Sequence, residues 1–237
     1  MLRTAEEIQL LSTALEPGIR NPLRVEHGPD EILRDFFADM NLAGQRVLEL
    51  GPGHYEFCEA IRRRGVAAEV VELDPPVIEL GRRRGFKVWP GNLTQLPSLP
   101  ITPGFDGLFC KGSNNPFWFY GQEAALRHYI ETMANLVRLG GWLWVVSCPY
   151  REPALPPEEF SRWLDLEAAI YRELGFREWV PPHRLNAACY GISFDHSRLA
   201  VFTKGLPPHR WSPATLALLP WFAARVAVRR AGRLFDR

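Results

Sequence analysis

The run Val47-Leu48-Glu49-Leu50-Gly51-Pro52-Gly53 places two glycines directly behind an apolar strand pattern. Glycines there permit a tight turn and let a ligand approach the backbone closely. About 20 residues later the next strand pattern ends in Glu72, where a carboxylate can accept hydrogen bonds from a ribose diol. Asp74 lies two residues on, on the same side of an extended chain, and competes for that task. Gly91-Asn92-Leu93 follows a third strand pattern; an Asn amide can bond an adenine edge, and the next backbone N–H another ring nitrogen. Glu56 stands where a dinucleotide loop has its third glycine, which disfavours a pyrophosphate, and no GxxxxGK[ST] run exists, which excludes a phosphate-cradling loop.

A second group is K-G-S-N-N-P-F-W-F-Y, residues 111–120. Asn114 and Asn115 offer amide donors and acceptors. Phe117, Trp118, Phe119 and Tyr120 either present faces to a cation, at about 0.5–2 kcal/mol, or cap the core. Further on, S-C-P-Y-R-E-P (147–153) brings Tyr150, which either orients an amine or carboxylate or anchors a proline-rich loop. Its phenol, with an ordinary pKa near 10, needs help to deprotonate. His54 and Tyr55 open the helix after the glycine turn; Tyr55 either lines the ligand or packs. His183, Tyr190 and His196 lie late in the chain, and a histidine there is a candidate base or a solvated bystander. No His, Cys, Asp and Glu grouping has metal spacing, so no metal is expected, and no GxSxG supports a serine hydrolase.

These residues need elements to hold them. Strand patterns at 46–50, 67–74, 86–89, 105–111 and 142–147 alternate with helical patterns at 56–64, 76–84, 122–139 and 158–174. FREWV and RLAVFTK complete the set. Strands alternating with helices predict an α/β fold, a mostly parallel seven-stranded sheet with helices on both faces. Residues 1–44 read as two helical pieces, Ala5–Leu15 and Asp30–Met40, and form an N-terminal helical lid in which Arg24 and His27 are candidate gate residues. Residues 45–205 form the binding domain and 206–237 a tail, apolar first and then basic: Arg225, Arg229, Arg230, Arg233 and Arg237 against Asp236. Such a tail suits a peripheral membrane contact or a homodimer contact.

Composition bounds the function. With 237 residues, 46% hydrophobic and 23% charged, the chain is an ordinary globular protein. Lys+Arg 28 against Asp+Glu 27 gives +1 and no reason to expect nucleic acid as a partner. Cys58, Cys110, Cys148 and Cys189 form no CxxC pair. No apolar run reaches the roughly 20 residues that span a bilayer, so a cytoplasmic location is the expectation. Phe 14 and Trp 8 call for an explanation beyond core filling.

The constellation resembles the class I S-adenosylmethionine (SAM)-dependent methyltransferases over roughly 33–205. VLELGPG matches their cofactor loop at Glu49, Gly51, Pro52 and Gly53; E-L-D-P-P-V-I-E-L-G-R matches their acidic second-strand end at Glu72; Asn92 and Leu93 match their adenine-contacting pair. The Phe105-Asp106 opening of one strand and Gly140-Gly141 before the next also match. The resemblance implies a Rossmann-like fold, SAM as cofactor and a small-molecule acceptor, with Tyr55 and Lys111 also at the cofactor. Asn115 and Tyr150, after the fourth and fifth strand patterns, are the candidate catalytic pair. SAM is a sulfonium without phosphate, which a loop lacking the third glycine can hold, and methyl transfer needs alignment more than a base. The chain is also similar to azetidine-2-carboxylate synthases, which implies an alternative: SAM as sole substrate, its amine displacing methylthioadenosine, with Asn115 (or Asn114) and Tyr150 orienting that amine.

Overall fold

The structure, a computed structural model, describes residues 4–20, 29–37, 40–147, 157–179 and 198–204. In chain order these form α1 (Ala5–Leu11), α2 (Pro17–Arg20), α3 (Pro29–Phe37), β1 (Arg46–Leu50), α4 (Glu56–Arg62), β2 (Ala67–Glu72), α5 (Pro75–Arg83) and β3 (Lys87–Pro90). There follow β4 (Phe105–Asn114), α6 (Glu123–Leu136), β5 (Val137–Ser147), α7 (Pro157–Glu173), β6 (Phe176–Trp179) and β7 (Arg198–Lys204). Short 3-10 helices occupy Leu93–Ser98 and Pro116–Phe119.

Five strands pair in parallel in the order β3-β2-β1-β4-β5, and antiparallel β7 joins β5 to β6. The side-chain period of two sends alternate residues to opposite faces. Leu48, Leu50, Val71, Leu108, Cys110, Leu143 and Val145 face the layer of α6 and α7. Val47, Phe109, Trp142, Trp144 and Val146 face α3 and α4, and Val70 faces α5 and α1. Apolar residues on both faces of the central strands are what a parallel sheet between two helical layers requires. The alternation of strand and helix expected from the sequence is the architecture observed.

Aromatic stacking accounts for much of the Phe and Trp excess. Phe57 lies on Phe109 with ring centroids 3.5 Å apart, Phe109 on Trp144 at 4.4 Å, and Phe37 meets Trp142 edge-on at 4.7 Å. Trp142 crosses Gly107, where any Cβ would overlap its indole. At the N-terminal edge Asp106 accepts from Arg46 N at 2.7 Å and Arg138 Nε at 2.5 Å, fastening the starts of β1, β4 and β5.

Several boundaries differ from expectation: α6 ends at Leu136, not Leu139, β5 starts at Val137, not Trp142, and β4 runs on from Lys111 to Asn114. Two further ones differ for local reasons. α1 stops at Leu11, not Leu15, because Ser12 and Thr13 hydroxyls bond back to Gln9 O and Leu10 O. β2 stops at Glu72, not Asp74, because the Glu72 carboxylate takes the next two backbone N–H groups.

Candidate functional site at the ends of the parallel strands

The loop between β1 and α4 is built on left-handed backbone. Gly51 has φ 65°, Gly53 φ 54° and Tyr55 φ 64°, the last being the one non-glycine residue of this kind among the described residues. Gly51 N donates to Val71 O at 2.9 Å, which holds the turn against the end of β2. Ser113, from the end of β4, lies over it and donates to Gly51 O at 3.3 Å. A Cβ on Gly51 would overlap Ser113 Oγ and Cβ. Pro52 between the glycines is buried. Of the two expectations for Tyr55, packing is observed. Its side chain is fully buried, its ring stacks on Phe86 at 5.2 Å, and its hydroxyl donates to Val77 O at 2.9 Å. Burial, then the charges of Glu72 and Glu49, push the phenol far above its ordinary value.

Glu49 precedes this loop and is 4% exposed, facing α4. Cys58 Sγ donates to Glu49 Oε2 at 2.7 Å. Burial and then Glu49 raise the Cys58 pKa, so the group is a thiol and a donor. The sequence marks Glu49 but not Cys58, whose only signal is a position on α4 nine residues after Glu49.

At the end of β2, Glu72 Oε1 accepts from Leu73 N at 2.7 Å and Asp74 N at 2.9 Å. Among the described residues nothing donates to Oε2. Burial raises the Glu72 pKa; the two backbone N–H bonds oppose this, and Asp74 and Glu16 add to it. Asp74 does different work. Its Oδ2 accepts from Leu15 N at 2.6 Å, and its buried Oδ1 has no partner among the described residues.

Gly91 N donates to Glu72 O at 2.9 Å, so the third loop starts beside Glu72. Asn92 Oδ1 accepts from Thr94 N and Thr94 Oγ1, each at 3.0 Å. That leaves Asn92 Nδ2 and the Leu93 N–H, which as the first of its 3-10 helix has no acceptor within that helix.

After β4, Asn114 is fully buried and donates Nδ2 to Glu167 Oε1 at 2.7 Å. Asn115 is 5% exposed and its Oδ1 accepts from Phe117 N at 3.0 Å. Lys111 is half-buried on β4, paired with Val146. The aromatic run does not form one surface for a cation. Phe117 is buried in the core, and Phe119 packs on Tyr129 at 5.3 Å. Trp118 and Tyr120, 38% and 37% exposed, remain at the surface. Period and packing, with Phe117 and Phe119 turned inward, make this segment mainly a cap on the core.

The N-terminal helices reach this edge. His54, 2% exposed, bonds Ile19 O through Nε2 at 2.9 Å; Leu15 meets Asp74; and Arg84 donates to Glu7 Oε1 at 2.8 Å. Arg24, His27, Cys148, Tyr150, His183, Cys189, Tyr190, His196 and the tail 206–237 lie outside the described residues. Among the described residues no three His, Cys, Asp or Glu side chains group as metal ligands, and no helix is long and apolar enough to cross a membrane.

No protein-family model and no curated protein sequence matches the chain. Solved structures do. A TehB-like SAM-dependent methyltransferase from Corynebacterium glutamicum superposes with TM-score 0.51 at 14% identity, over 75% of this chain and 88% of that one. Magnesium protoporphyrin IX methyltransferase from Synechocystis, with bound SAM, gives 0.50 at 14% identity over 74% and 77%. The N-methyltransferase NodS from Bradyrhizobium japonicum gives 0.50 at 18% identity over 76% and 94%. The likeness is one of fold: the chain has the Rossmann-like α/β fold of these SAM-dependent methyltransferases.

Proposed function

We propose that this chain is a SAM-dependent methyltransferase acting on a small molecule. The observation that supports it best is the Glu72 carboxylate, with Oε1 spent on backbone and Oε2 left over, beside a glycine turn on positive φ. The donors fit SAM. Oε2 suits a ribose hydroxyl, Asn92 Nδ2 and Leu93 N–H suit adenine nitrogens, and the Gly51–Gly53 turn offers backbone rather than phosphate-binding charge. The buried Glu49 carboxyl group below the turn suits a cationic ligand better than an anionic one. Pro52 stiffens the turn, and Lys111 at the end of β4 suits a ligand carboxylate.

When bound, SAM supplies a methyl group already activated on a sulfonium. The chain's own part is to bind, to align the acceptor from the loops after β4 and β5, and to exclude water. In this reading the N-terminal helices act as a lid, Tyr150 joins Asn115 at the acceptor, residues 45–205 are the SAM-binding unit, and the tail 206–237 meets a membrane surface or a second copy. Ring closure of SAM on itself is the second reading, and the products formed from SAM separate it from methyl transfer.

Calorimetry with SAM tests the proposal. Binding is expected, and Glu72→Ala should weaken it about tenfold or more, the loss of a hydrogen bond to a charged group. No binding would overturn it. Methylthioadenosine released from SAM alone would replace methyl transfer by ring closure; S-adenosylhomocysteine formed only with an added acceptor would support methyl transfer.

A further inference from the structure

We infer that the edge of the sheet opposite the candidate site docks on an anionic lipid surface. This goes beyond the proposed function and does not depend on it.

The chain carries one pattern twice, Arg62-Arg63-Arg64-Gly65 and Arg82-Arg83-Arg84-Gly85, at the ends of α4 and α5. Each glycine turns the chain on positive φ, 79° and 76°, and Val66 and Phe86 behind them are buried. Both helices start at the strand ends that carry the glycine turn and Glu72, so both arginine runs finish at the other edge. There Gly44 N donates to Gly65 O just before β1. The two runs touch, since Arg62 Nη1 donates to Arg84 O at 2.7 Å. Arg84 turns inward to Glu7; the other arginines and Lys87, which starts β3, are exposed.

The carboxylates of this edge do not cancel that charge. Glu59 and Glu69 are buried and hold Arg62, Arg46 and Lys87. Asp106 accepts from Arg46 N and Arg138. At the surface Glu79 meets Arg83 at 2.8 Å and Asp30 reaches Arg63 at 4.0 Å. Exposed pairs of this kind hold weakly, so both arginines can exchange partners. Arg64 and Arg82 have no acidic partner among the described residues. A helix end favours a cation, but four available guanidinium groups on one surface are also what a layer of anionic headgroups attracts.

The surroundings of the charge favour lipid over nucleic acid, which is bound by stacking bases on open aromatic faces. Phe86 has Arg62 on one side at 4.4 Å and Tyr55 on the other, and Trp89 carries Lys87 at 4.3 Å. What the edge does expose is apolar. Leu139, 73% exposed, lies on the stretch 138–141, which bulges from β5 between the Phe105–Val137 and Gly107–Trp142 pairs.

The test is sedimentation of the full chain with vesicles of phosphatidylcholine containing phosphatidylserine, against phosphatidylcholine alone, at low and at physiological salt. Binding is expected to the first vesicles only and should weaken as salt rises. Arg64→Gln with Arg82→Gln should weaken it about tenfold or more, and Leu139→Ser should weaken it further, with Tm and SAM binding unchanged. Arg229→Gln with Arg230→Gln removes the same charge from the tail. No binding, equal binding to both vesicles, binding untouched by the Arg64 and Arg82 pair, or loss through the tail pair alone would overturn the inference. A single-stranded RNA held more tightly than the vesicles through Arg64 and Arg82 would also overturn it and give this surface to nucleic acid. Failure to bind SAM would overturn the proposed function and leave this inference standing.

Discussion

The Cys58 thiol donates to the Glu49 carboxylate across 2.7 Å, beneath the turn that joins β1 to α4. Both side chains are buried, so the carboxylate relies on protein donors in place of water. Cys58→Ala removes this donor and should cost about 1–3 kcal/mol, the range for a buried acceptor losing a partner. Cys58→Ser keeps a donor and should cost less. Denaturant midpoints of the three proteins check the order; an Ala variant as stable as the Ser variant would show the bond to be idle.

Glu72 gives a pH prediction with a definite sign. Its folded pKa is raised above 4.5, chiefly by burial. A raised carboxyl contributes stability that is fully present below the unfolded value and is lost as pH rises through the folded one. Glu72→Gln should therefore raise Tm at pH 7 and not at pH 4, since Gln can still accept from Leu73 N and Asp74 N. SAM binding should respond oppositely. The ionised oxygen is the better acceptor, so affinity should fall as pH drops through the raised value. Thermal melts and calorimetry at the two pH values separate these effects.

Gly51 combines two constraints that substitution can separate. Ala at φ 65° costs about 1–2 kcal/mol for the left-handed backbone, and its Cβ would strike Ser113. Gly51→Ala should be destabilising by more than that backbone cost. Adding Ser113→Gly should recover the steric part only. Denaturation of the single and double variants gives the coupling, and a zero coupling would remove the Ser113 contact from the account.

The sequence was informative where a residue's work depends on its place along one strand. The glycine turn, Glu72 and the parallel alternation follow from local spacing and the period of two. It was silent where a side chain answers to a distant partner. Phe117 and Phe119 look like a ligand surface until α6 is placed against them. Tyr55 looks like a ligand contact until the ring of Phe86 and the carbonyl of Val77 claim it. The resemblance favours Glu72 over Asp74, but the separate work of Asp74 shows only when Leu15, 59 residues before it, is placed against it.

That last pairing can be tested through its two separate consequences. Asp74→Ala removes the acceptor for Leu15 N–H, so hydrogen exchange should quicken over residues 12–20 while β1 and β2 amides stay protected. Asp74→Asn keeps an oxygen for Leu15 N–H and removes a negative charge that raises the Glu72 pKa. Exchange at 12–20 should then be unchanged, while the pH midpoint for SAM binding moves down. An Asn variant that loosened the N-terminal segment as much as Ala would mean that charge, and not the hydrogen bond, holds it to the edge of β2.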